Sequence, residues 1–318
     1  MTAIHTEANP SVRNSGKKYT LDAALAMPTF DRSVSALCWV YNEEQLIGEY
    51  LDRLHALMHR SVSNFEIVVI DDCSTDSTAR IIADRMARYP EIHYFRNERN
   101  IDVGPSFKRA VRYATKEFLF WQTVDWSYDI SLLRLHLEFL RDFDVVAGVR
   151  RAPVLAADRY LKPLMGVLKL LSIKHLTRRS DTPWKAFVSV VNYLLIRLLF
   201  GVKLSDYQNV AYYRSALIQT IDWEASSSFV SPETHIKAYW RGARIVEVPI
   251  SFRPRTVGEG KGVSTRTIAR ALRDIFKCWI RWQLLGRVER GQTIEIVRMV
   301  EAEWDLSDSG YWSEAGTS

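Results

Sequence analysis

The chain has little cysteine: Cys38, Cys73 and Cys278 are the three in 318 residues. An odd number at wide spacings excludes a disulfide framework and a cysteine-based zinc site, and points to a reducing compartment. Long apolar runs are scarce as well. The longest, Ala186 to Val202, contains Asn192 and Arg197, so it reads as a helix at an interface rather than one crossing a bilayer. From Met1 to about Arg32 the chain is rich in Ser, Asn and Thr and lacks the apolar core of a signal peptide, so a cytoplasmic protein is expected. Glycine-rich phosphate loops are missing too. Neither G-x-G-x-x-G nor a P-loop is present, which disfavours a dinucleotide held on a glycine turn.

What is present is an ordinary globular composition, 47% hydrophobic and 25% charged, which excludes a disordered, collagenous or coiled-coil chain. Lys and Arg outnumber Asp and Glu by 43 to 37, a net charge of +6. Three kinds of partner suit that charge: nucleic acid, an anionic membrane surface, or a phosphate-bearing substrate.

The first half alternates strand and helix patterns. Apolar runs at Ser33–Tyr41, Phe65–Asp71, Ile92–Phe95, Phe118–Gln122 and Val145–Val149 read as buried strands. Between them, Leu46 to Met58, Ser77 to Arg88, Pro105 to Thr115 and Ile130 to Arg141 carry helical periodicity. This order predicts an α/β fold, a mostly parallel sheet with helices on both faces, whose ligands bind beyond the carboxyl ends of the strands. Those ends are polar and acidic: Tyr41, Asn42 and Glu43; Asp71 and Asp72; Thr123 and Asp125. Carboxylates gathered there repel one another unless a metal, a base edge or ribose hydroxyls join them.

These residues resemble family 2 glycosyltransferases of the GT-A fold, in particular the dolichyl-phosphate mannosyltransferase and polyprenyl-phosphate glycosyltransferase branch. The similarity runs from about Ser33 to Trp279. WVYNEE at 39–44 resembles P-T-Y-N-E-E, DDCSTDST at 71–78 resembles D-D-G-S-T-D-G-T, and NIDVGPS at 100–106 resembles the N-x-G-x-G segment. TVDW at 123–126 occupies the place of D-A-D-L, and GVR at 148–150 that of G-S-R. Lys185, Ser189 and Asn192 fit a basic, Ser, Asn spacing, Asp206 sits at the family's next acid, and 231–261 resembles the branch's E-V-P-I-x-F-x-x-R-x-x-G-x-S-K block.

The resemblance implies nucleotide-sugar contacts from Tyr41, Asn42, Glu43, Asp71, Asp72, Ser74, Asn100, Asp102, Gly104 and Thr123. It assigns Mg2+ or Mn2+ to Asp125, with Asp102, Asp129 or water helping because Thr123 replaces the first acid of D-x-D. Arg150, Lys185 and Ser189 inherit contact with an acceptor phosphate. Arg255 and Lys261, on a glycine-bearing loop, are expected to close on the diphosphate, and Glu233 or Asp206 to serve as base when the acceptor is a hydroxyl. Plainer roles also fit: a packed aromatic at Tyr41, a turn former at Asp71, a small buried filler at Cys73.

Arg150 to Lys203 holds eleven basic residues against two acidic, interleaved with leucines, the composition of an interfacial helix facing lipid phosphates. A second basic amphipathic stretch, Ser264 to Leu285, carries Arg266, Arg270, Arg273, Lys277 and Arg281 at helical spacing. The expected organisation is a flexible segment 1–32, a GT-A domain 33–262 with donor half 33–149 and acceptor half 150–262, a basic helix 263–290, and an acidic tail 291–318 that folds back on the basic helix or stays free. The expected function is inverting transfer from a nucleoside-diphosphate sugar to a polyprenyl phosphate, by a protein peripheral on an anionic membrane. Rivals are a same-fold transferase acting on a hydroxyl of a sugar, glycolipid or small molecule, and a non-catalytic nucleotide-sugar-binding protein. No nucleic-acid module is recognisable, and nothing in the sequence sets an oligomeric state.

Overall fold

A computed structural model describes residues 19–151, 183–252, 264–299 and 304, with the backbone alone at 151 and 183–187. Its centre is a sheet of eight strands: β1 (Phe30–Val40), β2 (Val62–Asp71), β3 (Ile92–Arg96), β4 (Phe118–Trp121), β5 (Val145–Arg151), β6 (Ala211–Arg214), β7 (Ile245–Ser251) and β8 (Val297–Arg298). They lie in the order β3-β2-β1-β4-β6-β5-β7-β8. Only β6 runs against its neighbours β4 and β5; the other pairings are parallel. The α/β, mostly parallel sheet expected from the alternating pattern is the one observed.

Parallel strands covered on both faces need near-continuous apolar sequence, and Val34 to Cys38 and Phe65 to Asp71 are buried at every position. The periodic segments form α2 (Ile47–Ser61), α3 (Thr78–Met86), α4 (Val103–Tyr113) and α5 (Leu133–Phe139). Helix α2 shows why: Ile47, Tyr50, Leu51, Leu54, Leu57 and Met58 are all buried along one face. Helix α5 begins later than its periodicity suggests. The Asp129 carboxylate accepts from Ser131 N at 2.9 Å, holding 129–131 as a turn.

Beyond β5 come α6 (Pro183–Phe200), the short α7 (Ser215–Ile218), α8 (Val230–Trp240) and α9 (Thr265–Trp279), with α1 (Leu21–Ala26) ahead of β1. Ser264 caps α9 through a capping box with Thr267, and a five-residue π-helical turn, Ile280–Leu284, extends it. Strand β6 from the second half inserts between β4 and β5 from the first, so the two halves share one sheet. Of the tail 291–318, the described residues Val297 and Arg298 pair with Val246 and Glu247 at the sheet edge, and Trp304 stacks on Tyr19, centroids 4.5 Å apart. Among the described residues no helix is long and apolar enough to cross a membrane.

Register fixes what the sheet presents. Val40 pairs with Asp71, and Asp71 with Arg96, so three neighbouring strands end at one level and their loops leave side by side.

Candidate active site

The loops after β1 and β2 are knitted together by side chains bonding across to backbone. Asn42 N donates to Ser74 Oγ at 3.0 Å, Thr75 N to Asn42 Oδ1 at 2.8 Å, Glu43 N to Thr78 Oγ1 at 2.9 Å and Ser77 N to Glu44 Oε2 at 2.9 Å. Among the described residues, four other than glycine have positive φ, namely Asn42 (51°), Cys73 (68°), Asp102 (72°) and Trp126 (51°). All four lie in loops leaving the carboxyl end of the sheet, where strained backbone gathers at functional sites. Cys73 is therefore not the buried filler expected. It is partly exposed and stands in left-handed backbone where the resembled motif has Gly, a conformation that disfavours a side chain by about 1 kcal/mol.

Asp72 organises the next wall. Its Oδ1 accepts from Asn97 Nδ2 at 2.7 Å and Ile101 N at 2.8 Å, and its Oδ2 from Asp102 N at 3.0 Å. The 100–103 loop is thus tied to the end of β2. Gly104, in the first turn of α4, touches the facing wall: an added Cβ would lie 2.5 Å from the carbonyl of Ser226. Only glycine allows that approach.

That facing wall is the loop 224–228, held from behind by two buried carboxylates. Asp274 of α9 accepts from Ser226 N and Ser227 N at 2.8 and 2.9 Å. Those bonds hold its carboxyl below the usual range against the opposing push of burial. Glu233 of α8, fully buried, accepts from Glu224 N at 2.7 Å and Ala225 N at 2.8 Å and pairs with Lys237 Nζ at 2.8 Å. Burial raises its pKa in spite of Lys237. Between the walls lies a cleft of about 400 Å3, lined by Trp39, Val40, Tyr41, Glu43, Asp72, Asn100, Asp102, Val103, Ser226, Ser227, Ser228, Thr267 and Arg270.

Of the residues expected to meet the nucleotide sugar, Tyr41, Glu43, Asp72, Asn100 and Asp102 line this cleft. Asn42, Ser74 and Gly104 shape its walls. Asp71 is fully buried, its oxygens accepting from Ser74 N at 2.8 Å and Tyr94 OH at 2.7 Å. Glu233 is sealed behind the serine loop. Arg150 and Asp206 are paired with each other: Arg150 Nε donates to Asp206 Oδ2 at 2.8 Å and Nη2 to Oδ1 at 3.2 Å. The guanidinium lies 5.4 Å from the Phe252 ring centroid, and Asp206 raises its pKa further despite burial. Ser189 is half-buried on α6. The Lys185 side chain, Arg255, Lys261 and residues 152–182 of the first basic stretch lie outside the described residues.

Asp125 follows β4. One oxygen accepts from Ser127 N at 3.1 Å, and the nearby Thr123 Oγ1 is buried with no hydrogen-bond partner among the described residues. Among those residues no three His, Cys, Asp or Glu side chains gather as a metal cage. The arrangement fits Mg2+ or Mn2+ of the kind held by one carboxylate and substrate phosphates, since such ions rarely use all-protein cages. Asp125, which is not among the residues lining the cleft, is the residue that would hold it.

Sequence reasoning missed Trp39, the serine run 226–228 and the cleft-facing side of α9, Thr267 and Arg270. The helical spacing of α9 was legible, but its contact with Asp102, 168 residues earlier, is long-range and leaves no local mark.

The sheet carries an acid-bearing cleft at its carboxyl edge, and the family match and relatives that follow make the chain a nucleotide-sugar-dependent glycosyltransferase. The sequence profile of glycosyl transferase family 2 matches residues 35–200, more than half of the chain, and the chain belongs to that family. Among similar proteins is an undecaprenyl-phosphate mannosyltransferase of Micrococcus luteus, 26% identical over 256 residues, covering 78% of this chain and 93% of the relative. A dolichyl-phosphate hexose transferase of Haloferax volcanii is 28% identical over 235 residues, covering 73% and 87%. A mannosyltransferase of Pyrobaculum calidifontis in complex with GDP-Man and Mn2+ shares the fold, with TM-score 0.52 and 16% identity over 86% of this chain and 71% of that one.

Proposed function

We propose that the chain transfers a sugar from a nucleoside-diphosphate sugar to a polyprenyl phosphate at an anionic membrane surface. The observation that carries this reading is the double role of α9. One side of the helix gives Thr267 and Arg270 to the cleft. The opposite side leaves Phe276 exposed, Lys277 is exposed further along the side that carries Arg270, and the π-turn that follows exposes Ile280 and Leu284. On the neighbouring helix α6, tied to this turn by Gln283 Nε2 donating to Leu199 O at 3.1 Å, Val191 and Leu198 are exposed, Leu198 at 82%. Five of the ten large apolar side chains exposed among the described residues belong to these helices and their turn, and Leu285 follows directly. Exposed apolar groups mixed with cations suit the boundary between lipid headgroups and acyl chains. The named activities of the undecaprenyl- and dolichyl-phosphate relatives support the same acceptor class.

In this reading Tyr41, Glu43, Asp72 and Asn100 receive the nucleoside, with carboxylates accepting from ribose or base donors. The acceptor phosphate oxygen attacks the anomeric carbon, the bond from that carbon to the diphosphate breaks with inversion, and the nucleoside diphosphate leaves with the bonding pair. Asp125 would hold Mg2+ or Mn2+, which would supply positive charge against the diphosphate. Arg255 and Lys261 are assigned to the same charge by the resemblance alone. A phosphate acceptor is already ionised at neutral pH and needs no base, which agrees with a Glu233 enclosed behind the serine loop. Lys185 and Ser189, at the start of the apolar helix α6, are assigned to the acceptor side. Arg150, bound to Asp206, positions that acid rather than meeting lipid directly.

The test supplies labelled UDP- and GDP-hexoses, Mn2+ and undecaprenyl phosphate in anionic vesicles. Label should enter the organic phase, less so at raised salt. Equal transfer to undecaprenol, or transfer only to a water-soluble hydroxyl, would sink the proposal in favour of a hydroxyl acceptor.

A further inference from the structure

The described lining of the cleft has an uneven charge. Glu43, Asp72 and Asp102 contribute carboxylates, and Arg270 is the one cation among the described residues there. A donor brings a diphosphate, which such a lining repels unless Arg270 is available to it. In the structure Arg270 is already engaged: its Nη1 pairs with Asp102 Oδ2. This pair bridges two walls, since Asp102 precedes α4 and Arg270 lies on α9, 168 residues away in sequence.

Asp102 is held in place to make that bridge. Its backbone adopts φ 72°, and its N–H donates to Asp72 Oδ2 at 3.0 Å. The resembled motif has Gly at this position, which meets the backbone demand at no steric cost and carries no anion. Both side chains remain open to water, 40% exposed for Arg270 and 52% for Asp102. An exposed pair is weak enough to exchange partners, whereas a guanidinium holds a diphosphate through paired, charge-assisted hydrogen bonds.

We infer that Arg270 is a receptor for the donor diphosphate and that Asp102 is an internal anion competing for it, closing the cleft by a latch that the donor opens and that re-forms when the nucleoside diphosphate leaves. This rests on the nucleotide-sugar reading of the cleft. Asp102 thereby weakens donor binding and favours product release, so residue 102 sets the balance between affinity and turnover.

The experiment measures UDP and GDP binding by calorimetry, with uridine and guanosine as controls, in EDTA and in Mn2+. Asp102→Asn should tighten diphosphate binding about fivefold and leave the nucleosides unchanged. Asp102→Gly, which also relieves the backbone, should tighten it at least as much. Arg270→Ala should weaken the diphosphates about tenfold, and adding Asp102→Asn to it should give no tightening, because the competitor then has nothing to hold. Thermal melts confirm that each variant is folded. Diphosphate binding indifferent to residue 102 overturns the latch alone. Weakening by Asp102→Asn confined to Mn2+ overturns it as well and makes Asp102 a metal contact. Failure of every variant, and of the wild type, to bind either nucleotide overturns the cleft assignment and the latch with it.

Discussion

Glu233→Gln separates a catalytic from a positioning role at that residue. Its Oε1 accepts from Glu224 N and meets Lys237 Nζ, and its Oε2 accepts from Ala225 N. A glutamine keeps one acceptor and turns an NH2 toward a backbone N–H. With its oxygen at the Oε1 position, the Ala225 N–H loses its partner, a buried unsatisfied donor costing about 1–3 kcal/mol. Lys237, nearly buried, loses its nearest counter-charge and keeps the Asp222 carbonyl and the Glu224 carboxylate at 3.6 Å, so part of the roughly 3–5 kcal/mol for breaking a buried ion pair adds to it. A total of about 3–4 kcal/mol follows, or a melting point lower by roughly 6–16 °C at about 2–4 °C per kcal/mol. Urea and thermal unfolding measure it directly. Lys237→Met in the same chain should return about 1–2 kcal/mol by removing the stranded charge. Donor KM should rise as the serine loop loosens, with turnover at saturation changed far less. A variant as stable as wild type whose turnover collapses at saturating donor and acceptor would refute this reasoning and make Glu233 the base.

Gly104→Ala drives a methyl into the Ser226 carbonyl; the expected outcome is about 1–3 kcal/mol of destabilisation in urea titrations and a raised donor KM. Asp125→Ala should abolish the dependence of donor binding on Mn2+ while unfolding moves little, its one described hydrogen bond being a local turn; equal Mn2+ dependence in both proteins would remove Asp125 from the metal. His136 and His235 are fully buried, and burial lowers their pKa values to about 3 and about 4 from 6.5. Both stay neutral in the fold but take up protons when unfolded, so their contribution is full above about pH 6.5 and is lost as pH falls toward 4. Each gives a slope of at most about 1.4 kcal/mol per pH unit, and in pH-dependent urea midpoints His136→Gln should remove one of the two.

Periodicity was enough to locate the strands and helices of the donor half, because its parallel strands are apolar at nearly every position and α2 keeps a clean 3.6-residue stripe. The acidic strand ends were legible for a related reason: polar groups interrupting apolar runs mark where the sheet meets solvent. Division of labour among them was not. Asp71 and Asp72 are adjacent in sequence, yet Asp71 turns inward to Ser74 N and Tyr94 OH while Asp72 ties down the 100–103 loop. Alternation along the chain end sends neighbouring side chains to opposite sides, and apart from Ser74 the partners named here, Tyr94 and Asp102, lie 23 and 30 residues away. Arg150 with Asp206, and Glu233 with the serine loop, were hidden in the same manner. Basic spacing on α9 was visible, but only the tertiary fold shows it spending one face on the cleft and the other on solvent. Cys73 and Asp102 stood out as departures from glycine; their positive φ gives those departures a physical content.

The linkage formed in the product tests the central claim most directly. After reaction with the accepted nucleotide sugar, Mn2+ and a mixture of undecaprenyl phosphate and undecaprenol, the lipid fraction is analysed by mass spectrometry before and after mild acid. The account predicts a mass of lipid phosphate plus one sugar residue, an inverted anomeric centre, one nucleoside diphosphate released per lipid modified, and loss of the sugar in mild acid, as befits a glycosyl phosphate. An acid-stable sugar on undecaprenol, with the lipid phosphate untouched, would contradict it.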